Sequence, residues 1–434
     1  MTSNILKKSK ILTTSLGNVI EWFDFGLFIF MAPLLGAKFF PAQSPLMTTL
    51  DAFLVFALGF LCRPLGGIFF GHFGDTRGRA KTLKISILVI TLSTFLVGII
   101  PSYAEIGMLS TILFTALRFV QGISIGGEYS GAMIYLAESA PQHRRGFITS
   151  FAATGANLGF LLATAALMLL HNLFTAQQII AWAWRLPFIL VGLPGALIIY
   201  YRFKLTETYV YSHLQQQHKL AKQPFITAIK YAPTKLLKII GLTCMSATFY
   251  YVFFGYMPTY LEHYIGLPTK VILNLQSSLL IVMLFLVPFC GLCGDYFSRK
   301  SMLICTALGI IGLVIPCFNL LQTATPLPTL LALSIATALS SFDQGNSLAA
   351  VVENCPENVR YSGIAFSYNL GMALFGGTAP LIVTILIEKF GLLAPAYYLL
   401  CMAVISLIAA CTLLGRNKLA YNQKTHNKMW RSYK

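Results

Sequence analysis

Apolar runs of about twenty residues recur along the whole chain, and each is long enough to cross a bilayer. They fall at roughly 12–36, 48–73, 82–101, 106–136, 146–171, 180–203, 235–260, 268–293, 300–320, 326–352, 362–388 and 392–415. Hydrocarbon cannot satisfy backbone N–H and C=O groups, so only helices and closed barrels span it. Barrel strands alternate in polarity over about ten residues; these runs are continuous. The expected fold is an all-α integral membrane protein with twelve transmembrane helices. Composition agrees: 56% of the 434 residues are hydrophobic and 10% charged, against about 25% charged in soluble domains.

The net charge of +17 is a matter of placement. With these spans, one set of loops holds Lys7, Lys8 and Lys10; Arg77, Arg79, Lys81 and Lys84; Arg144 and Arg145; seven basic residues from Arg202 to Lys238; Arg299 and Lys300; Arg360; and six in the tail from Arg416. These are 25 of the 31 lysines and arginines, whereas the opposite loops offer Lys38, Lys270 and Lys389. Basic loops mark the cytoplasmic side. The chain is therefore expected in the inner (cytoplasmic) membrane with both termini in the cytoplasm, and nucleic acid is not an expected partner. The opening "MTSNILKKSKILTTSLG" imitates a signal peptide but lacks a small-residue cleavage site, and its apolar run continues into Glu21 and Asp24, so it reads as a first span. The nine cysteines, "CGLC" at 290–293 included, read as small buried hydrophobes without metal or redox work.

The chain contains its own copy. "GHFGDTRGRAK" from 71 recurs as "GLCGDYFSRKS" from 291, so Gly71, Gly74, Asp75 and Arg79 map onto Gly291, Gly294, Asp295 and Arg299. "AESAPQHRRG" at 137–146 is echoed by "VENCPENVRYSG" at 352–363, with Glu138, Pro141 and Arg145 mapping onto Glu353, Pro356 and Arg360. Two six-helix halves follow: 1–203, a cytoplasmic linker at 204–234, and 235–434 with a short cytoplasmic tail. Like halves in one orientation are the parallel repeat of a rocking carrier, with its site between them near the midplane.

These residues carry a resemblance. "GHFGDTRGRAK" and "RFVQG" resemble the helix 2–3 loop and helix 4 signatures of the major facilitator superfamily. "GNVIEWFDF", "RPLGGIFFGHFGD", "RFVQGISIGGEYSGA", "AESAPQHRRG", "WAWRLPF" and "YNLGMALFGGTAP" are similar to the metabolite:proton symporter family, which includes proline/betaine, α-ketoglutarate, citrate and shikimate carriers. His72 and Asp343 depart from that pattern. The resemblance implies the major facilitator fold, proton-driven symport, and a role for Arg118 in proton coupling.

Glu21 and Asp24 stand three residues apart, a spacing that shares a helix face. A carboxylate at a helix centre costs about 2.5–3.5 kcal/mol to insert, so these two acids either serve transport or hold helices together through ion pairs. Glu128 is a third intramembrane acid. Arg118 reads as a coupling residue or as a fixed counter-charge for Glu21 or Glu128. Arg63, before Pro64, is placed where helix 2 loosens toward the cytoplasm. Arg185, Trp182 and Trp184 read as interface anchors. Gly122, Gly126, Gly127 and Gly131 permit close helix contact.

Proton-coupling or cavity roles are expected for Glu21, Asp24, Arg118 and Glu128. Trp22, Phe23, Tyr129, Asn157, Tyr251, Asp343 and Asn369 are the substrate-binding candidates. Gating falls to Gly71, Gly74, Asp75 and Arg79 with Asp295 and Arg299, because a carboxylate at a helix end can accept hydrogen bonds from a neighbouring helix N-terminus. Counting Glu21, Asp24, Glu128 and Asp343 against Arg63 and Arg118 leaves surplus acid, which suits a zwitterion such as proline or betaine over an organic anion. A proton-antiport exporter would share the fold. No phosphate-binding loop is present, so ATP is not expected to drive the carrier, and no enzyme activity, cofactor or metal is expected beyond the proton gradient. The expected partners are a small substrate, protons and lipid, with the protein a monomer. The tail from Gly415 to Lys434 has no sustained heptad, so no coiled coil is expected.

Overall fold

The computed structural model describes residues 2–41, 55 and 58–413; the tail from Gly415 and much of the expected second span lie outside them. Among the described residues, twelve main helices run in order: α1 (Thr2–Phe39), α2 (Arg63–Thr76), α3 (Arg79–Ile99), α4 (Met108–Ser139), α5 (Arg145–Leu173), α6 (Ala183–Phe203), α7 (Pro233–Tyr264), α8 (Thr269–Tyr296), α9 (Arg299–Leu321), α10 (Pro326–Asn354), α11 (Glu357–Phe390) and α12 (Ala394–Cys411). Among the described residues, ten of these are long and apolar enough to cross a membrane. The other two are α2 and α10, whose 29 residues include the polar stretch from Ser340 to Ser347.

Within the first half α1 packs on α5, and α4 on α2 and α3; within the second, α10 packs on α8 and α9. The halves meet chiefly along α2–α11 and α5–α8. Glycine makes the tightest helix contact possible. A Cβ on Gly126 of α4 would collide with the Arg63 carbonyl and Gly67 nitrogen of α2, so α2 and α4 lie backbone to backbone, as small residues allow in membranes.

Two helices, α7 and α11, widen into π geometry. α7 turns π-helical over Tyr251–Tyr256 and α11 over Met372–Gly377. Each segment precedes a proline, Pro258 or Pro380. A proline lacks the N–H for the carbonyl four residues back and its ring presses on that carbonyl. The ladder therefore widens at Phe254 and Gly376, where α7 and α11 face each other: the Gly376 Cα abuts the Tyr251 ring.

Two short helices, Tyr209–Gln216 and Pro224–Tyr231, connect α6 to α7. Glu207, just ahead of them, accepts from the Arg79 and Ala80 amides at 3.0 and 3.1 Å and so caps α3. Burial holds the Glu207 carboxyl above its ordinary value, against the pull of the Thr208 and Ala80 amides and the Arg79 charge. Of the nine free cysteines, Cys305, Cys401 and Cys411 are exposed on the helix bundle and not buried as expected.

Candidate functional site

Trp22 of α1 stands at the centre of a ring cluster drawn from both halves. Phe25 and Phe160 lie 5.5 Å from it, Tyr129 5.9 Å, Tyr250 6.0 Å and Tyr251 6.4 Å, the last stacked. Phe60 closes one side against Tyr251 at 5.5 Å, and Tyr368 of α11 stacks on Tyr129 at 5.6 Å. The alternation of α1 with α4 and α5 on one side and α7 and α11 on the other makes this an aromatic chamber at the junction.

Buried polar atoms converge on the same chamber with no partner among the described residues: both carboxylate oxygens of Glu21, the Trp22 indole Nε1, the Arg63 Nη2 and the Tyr251 hydroxyl. Arg63 is the cation that acts most strongly on Glu21. Arg63 also donates from Nε to Asn369 Oδ1 at 3.1 Å and sits 5.5 Å from the Phe60 ring centroid. It is 1% exposed and lies thirteen residues before the end of α2, so it belongs to the middle of the bundle and not to its cytoplasmic rim.

Asp24 is engaged elsewhere. Its oxygens take Arg118 Nη1 at 2.8 Å, Thr94 Oγ1 at 3.0 Å and Gln121 Nε2 at 3.0 Å, all within the first half. The Arg118 guanidinium also lies 3.5 Å from the Phe28 ring centroid. Arg118 is thus the counter-charge of Asp24, and not of Glu21 or Glu128. Glu128 pairs with Arg202 of α6, accepting from Nη1 at 2.9 Å and also from Nη2, and from Ser86 Oγ at 2.6 Å. Arg202 is fully buried; reading it as a loop cation is corrected, and with it the charge tally, which gains a third intramembrane cation.

The remaining candidates divide. Asn157 of α5 accepts from the Tyr250 hydroxyl at 3.1 Å and donates to Gln344 of α10 at 3.1 Å, joining the halves at the chamber wall. Asn369 of α11 donates to the Gly126 carbonyl at 2.8 Å and to Ser130 at 3.1 Å. Tyr129 and Tyr251 line the chamber. Phe23 does not: it packs against the apolar cluster of Ile20, Ile87, Ile90, Ile125, Val191 and Ile198. Asp343 lies on the α7 side of α10, beside Ser246. Trp184, expected as an interface anchor, is fully buried against Phe39 at 5.6 Å; Trp182 is the exposed one, and Arg185 donates to the Gly98 and Ile100 carbonyls.

At the basic end of the bundle the two repeats form one network. Asp75 of α2 accepts from the Tyr361 and Ser362 amides of α11 at 3.1 and 2.8 Å. Asp295 of α8 accepts from the Gly146 and Phe147 amides of α5 at 2.8 and 2.9 Å. Each aspartate also faces its own arginine, Asp75 with Arg79 at 3.3 Å and Asp295 with Arg299 at 2.6 Å. Two further pairs cross between halves: Arg360 with Glu138 at 3.0 Å and Arg145 with Glu353 at 3.3 Å. Gly71 and Gly74 bring α2 against Ser362 and Tyr361. Glu138, Arg145, Glu353 and Arg360 were visible in the repeat as matched positions, yet the matching alone does not say that they bond across halves. Sequence reasoning placed Arg202 in a loop, gave Gln121 inside "RFVQG" no role, and set Arg63 toward the cytoplasmic side instead of in the chamber.

Among the described residues, twelve helices in two repeated halves, with buried unpartnered charge between them, have the build of a membrane transporter. The chain matches the Sugar (and other) transporter family over residues 10–231 and again over 213–415. It belongs to that family. It is 36% identical over 412 residues to the glycine betaine/proline/ectoine/pipecolic acid transporter OusA of Dickeya dadantii, covering 92% of this chain and 82% of the relative. It is 35% identical over 418 residues to the proline/betaine transporter of Salmonella typhimurium, covering 94% and 83%. The inner membrane metabolite transport protein YhjE of Escherichia coli is 35% identical, covering 93% and 94%. Among solved structures, the proton:xylose symporter XylE with a bound bromodeoxyglucose superposes with a TM-score of 0.74 at 18% identity, covering 93% and 94%. FucP in its outward conformation superposes at 0.68 with 14% identity, covering 93% and 98%. The fold is that of the major facilitator superfamily.

Proposed function

We propose that the protein imports a small zwitterion such as proline or betaine together with protons, by alternating access, across the inner membrane with both termini cytoplasmic and as a monomer without a cofactor. One observation carries the reading: Glu21 and Arg63 Nη2, both buried and unpartnered among the described residues, lie in a chamber walled by aromatic rings. A free anion and a free cation in one chamber complement the two ends of a zwitterion. The rings suit a substituted ammonium, which is drawn to π faces. An organic dianion calls for a second free guanidinium, and Arg118 and Arg202 are already held by Asp24 and Glu128. Relatives named for proline and betaine support the same class. The pairs at the basic end serve as a gate: they hold the halves together on that side and part when the site turns to the cytoplasm.

Uptake of labelled proline, betaine, α-ketoglutarate and citrate under an inward pH gradient tests the class. Accumulation of the zwitterions alone is expected, and accumulation of only the acids overturns it. Glu21→Gln and Asp24→Asn test the acids. At least one should lose uphill uptake by tenfold or more, on the order of 1.4 kcal/mol of coupling, yet retain counterflow. If both accumulate substrate like the parent, the acids are scaffolding.

A further inference from the structure

One seam joins the chamber to the basic end of the bundle. On α2, Arg63, Gly67, Gly71 and Asp75 follow one another at four-residue intervals, so they share a face. Each of them meets α11. Asp75 accepts from the Tyr361 and Ser362 amides, Gly71 abuts the Ser362 backbone, Gly67 abuts the Ala365 carbonyl, and Arg63 Nε donates to Asn369 Oδ1 at 3.1 Å. The seam spans about 18 Å of helix from Arg63 to Asp75. It places the chamber's cation at one end and a gating carboxylate at the other.

The chemistry of its neighbours fixes the Asn369 amide. The residue is fully buried. Its Nδ2 donates to the Ala365 carbonyl at 2.7 Å, the Gly126 carbonyl at 2.8 Å and Ser130 Oγ at 3.1 Å. Carbonyl oxygens only accept, so the nitrogen must face them and the oxygen must face Arg63. The amide has two protons, and these three acceptors take both, which leaves none for a substrate. Arg63 is aimed in turn. A guanidinium is planar. With Nε held and the Phe60 ring centroid 5.5 Å away, the direction of Nη2 is set, and Nη2 has no partner among the described residues.

We infer that Asn369 is a positioning residue: it aims Arg63 at the anionic end of the substrate while the basic end is closed, and releases Arg63 when α11 swings away from α2. The carrier then grips its substrate from the outer side and loosens it toward the cytoplasm. Once Nε is free, the Arg63 side chain turns to the unpartnered Glu21 carboxylate, which competes with that of the substrate. The inference rests on the zwitterion reading above.

The test is half-saturation of exchange by labelled betaine and proline in right-side-out and inside-out vesicles carrying the full-length protein. The parent should half-saturate at about tenfold lower substrate from the outer face than from the cytoplasmic face, the worth of one hydrogen bond to a charged group. Asn369→Leu keeps the volume and removes the acceptor. It should raise the outer value by about tenfold and leave the cytoplasmic value where it was. Asn369→Gln keeps an amide and should recover part of the outer affinity. A merely structural defect would weaken both faces alike. Equal half-saturation on the two faces of the parent overturns the inference while leaving zwitterion transport intact, and so does an Asn369→Leu variant that weakens both faces or neither. A parent protein that exchanges neither betaine nor proline overturns the zwitterion reading itself. If Asn369→Leu fails to insert, the two faces of the parent decide.

Discussion

A guanidinium at the end of α6 and a carboxylate within α4, 74 residues apart, meet with no solvent between them. Removing one partner of such a buried pair leaves the other charge stranded, which costs about 3–5 kcal/mol. Arg202→Ala should therefore lower the unfolding temperature in detergent sharply, and adding Glu128→Gln should recover part of the loss. A single variant that melts with the parent would remove the structural role assigned to this pair. The sequence offered the acid but not its partner, because a window of apolar residues locates a span and not the side of the helix that carries a terminal arginine. The pair Glu21 and Asp24 teaches a similar lesson. Residues three apart on a helix differ by roughly 60° in direction, close enough to share a face and far enough for Asp24 to reach Arg118 while Glu21 points into the chamber.

Between elements, the closest approach is α2 against α4. Gly126→Ala would drive a methyl group into the backbone at Arg63 and Gly67, so it should cost stability on the order of 1–3 kcal/mol and displace Arg63 from the chamber. Gly312, inside α9, has nothing within 4 Å of an added Cβ. Gly312→Ala should be neutral or stabilising by up to about 1 kcal/mol, since alanine is the better helix former. Thermal unfolding of the two variants side by side measures the contrast; equal melting points would mean that the α2–α4 contact is looser than described. The glycine run was legible as a packing signal. Its exact partner was not, because the approach of two backbones leaves no side-chain signature. The π-helical segments were not read from the sequence: Pro258 and Pro380 mark where the ladder breaks, but not whether it kinks or widens.

For the molecule as a whole, the repeated loop motif announced both the halving of the chain and the residues at the basic end. What the motif could not announce is the closing of the ring, in which Glu138 and Glu353 each take an arginine from the other half. Asp75→Asn weakens the charge-assisted bonds to the α11 amides. It should insert normally and bind substrate with little change, while exchange of labelled substrate slows severalfold; exchange at the parental rate would exclude Asp75 from the gate.

The ring at the basic end also bears on temperature. Its four amide–carboxylate bonds and crossing ion pairs are dominated by enthalpy, and they must all be given up together for the halves to part on that side. Turnover should then fall off steeply on cooling, more steeply than simple diffusion through a wet pore.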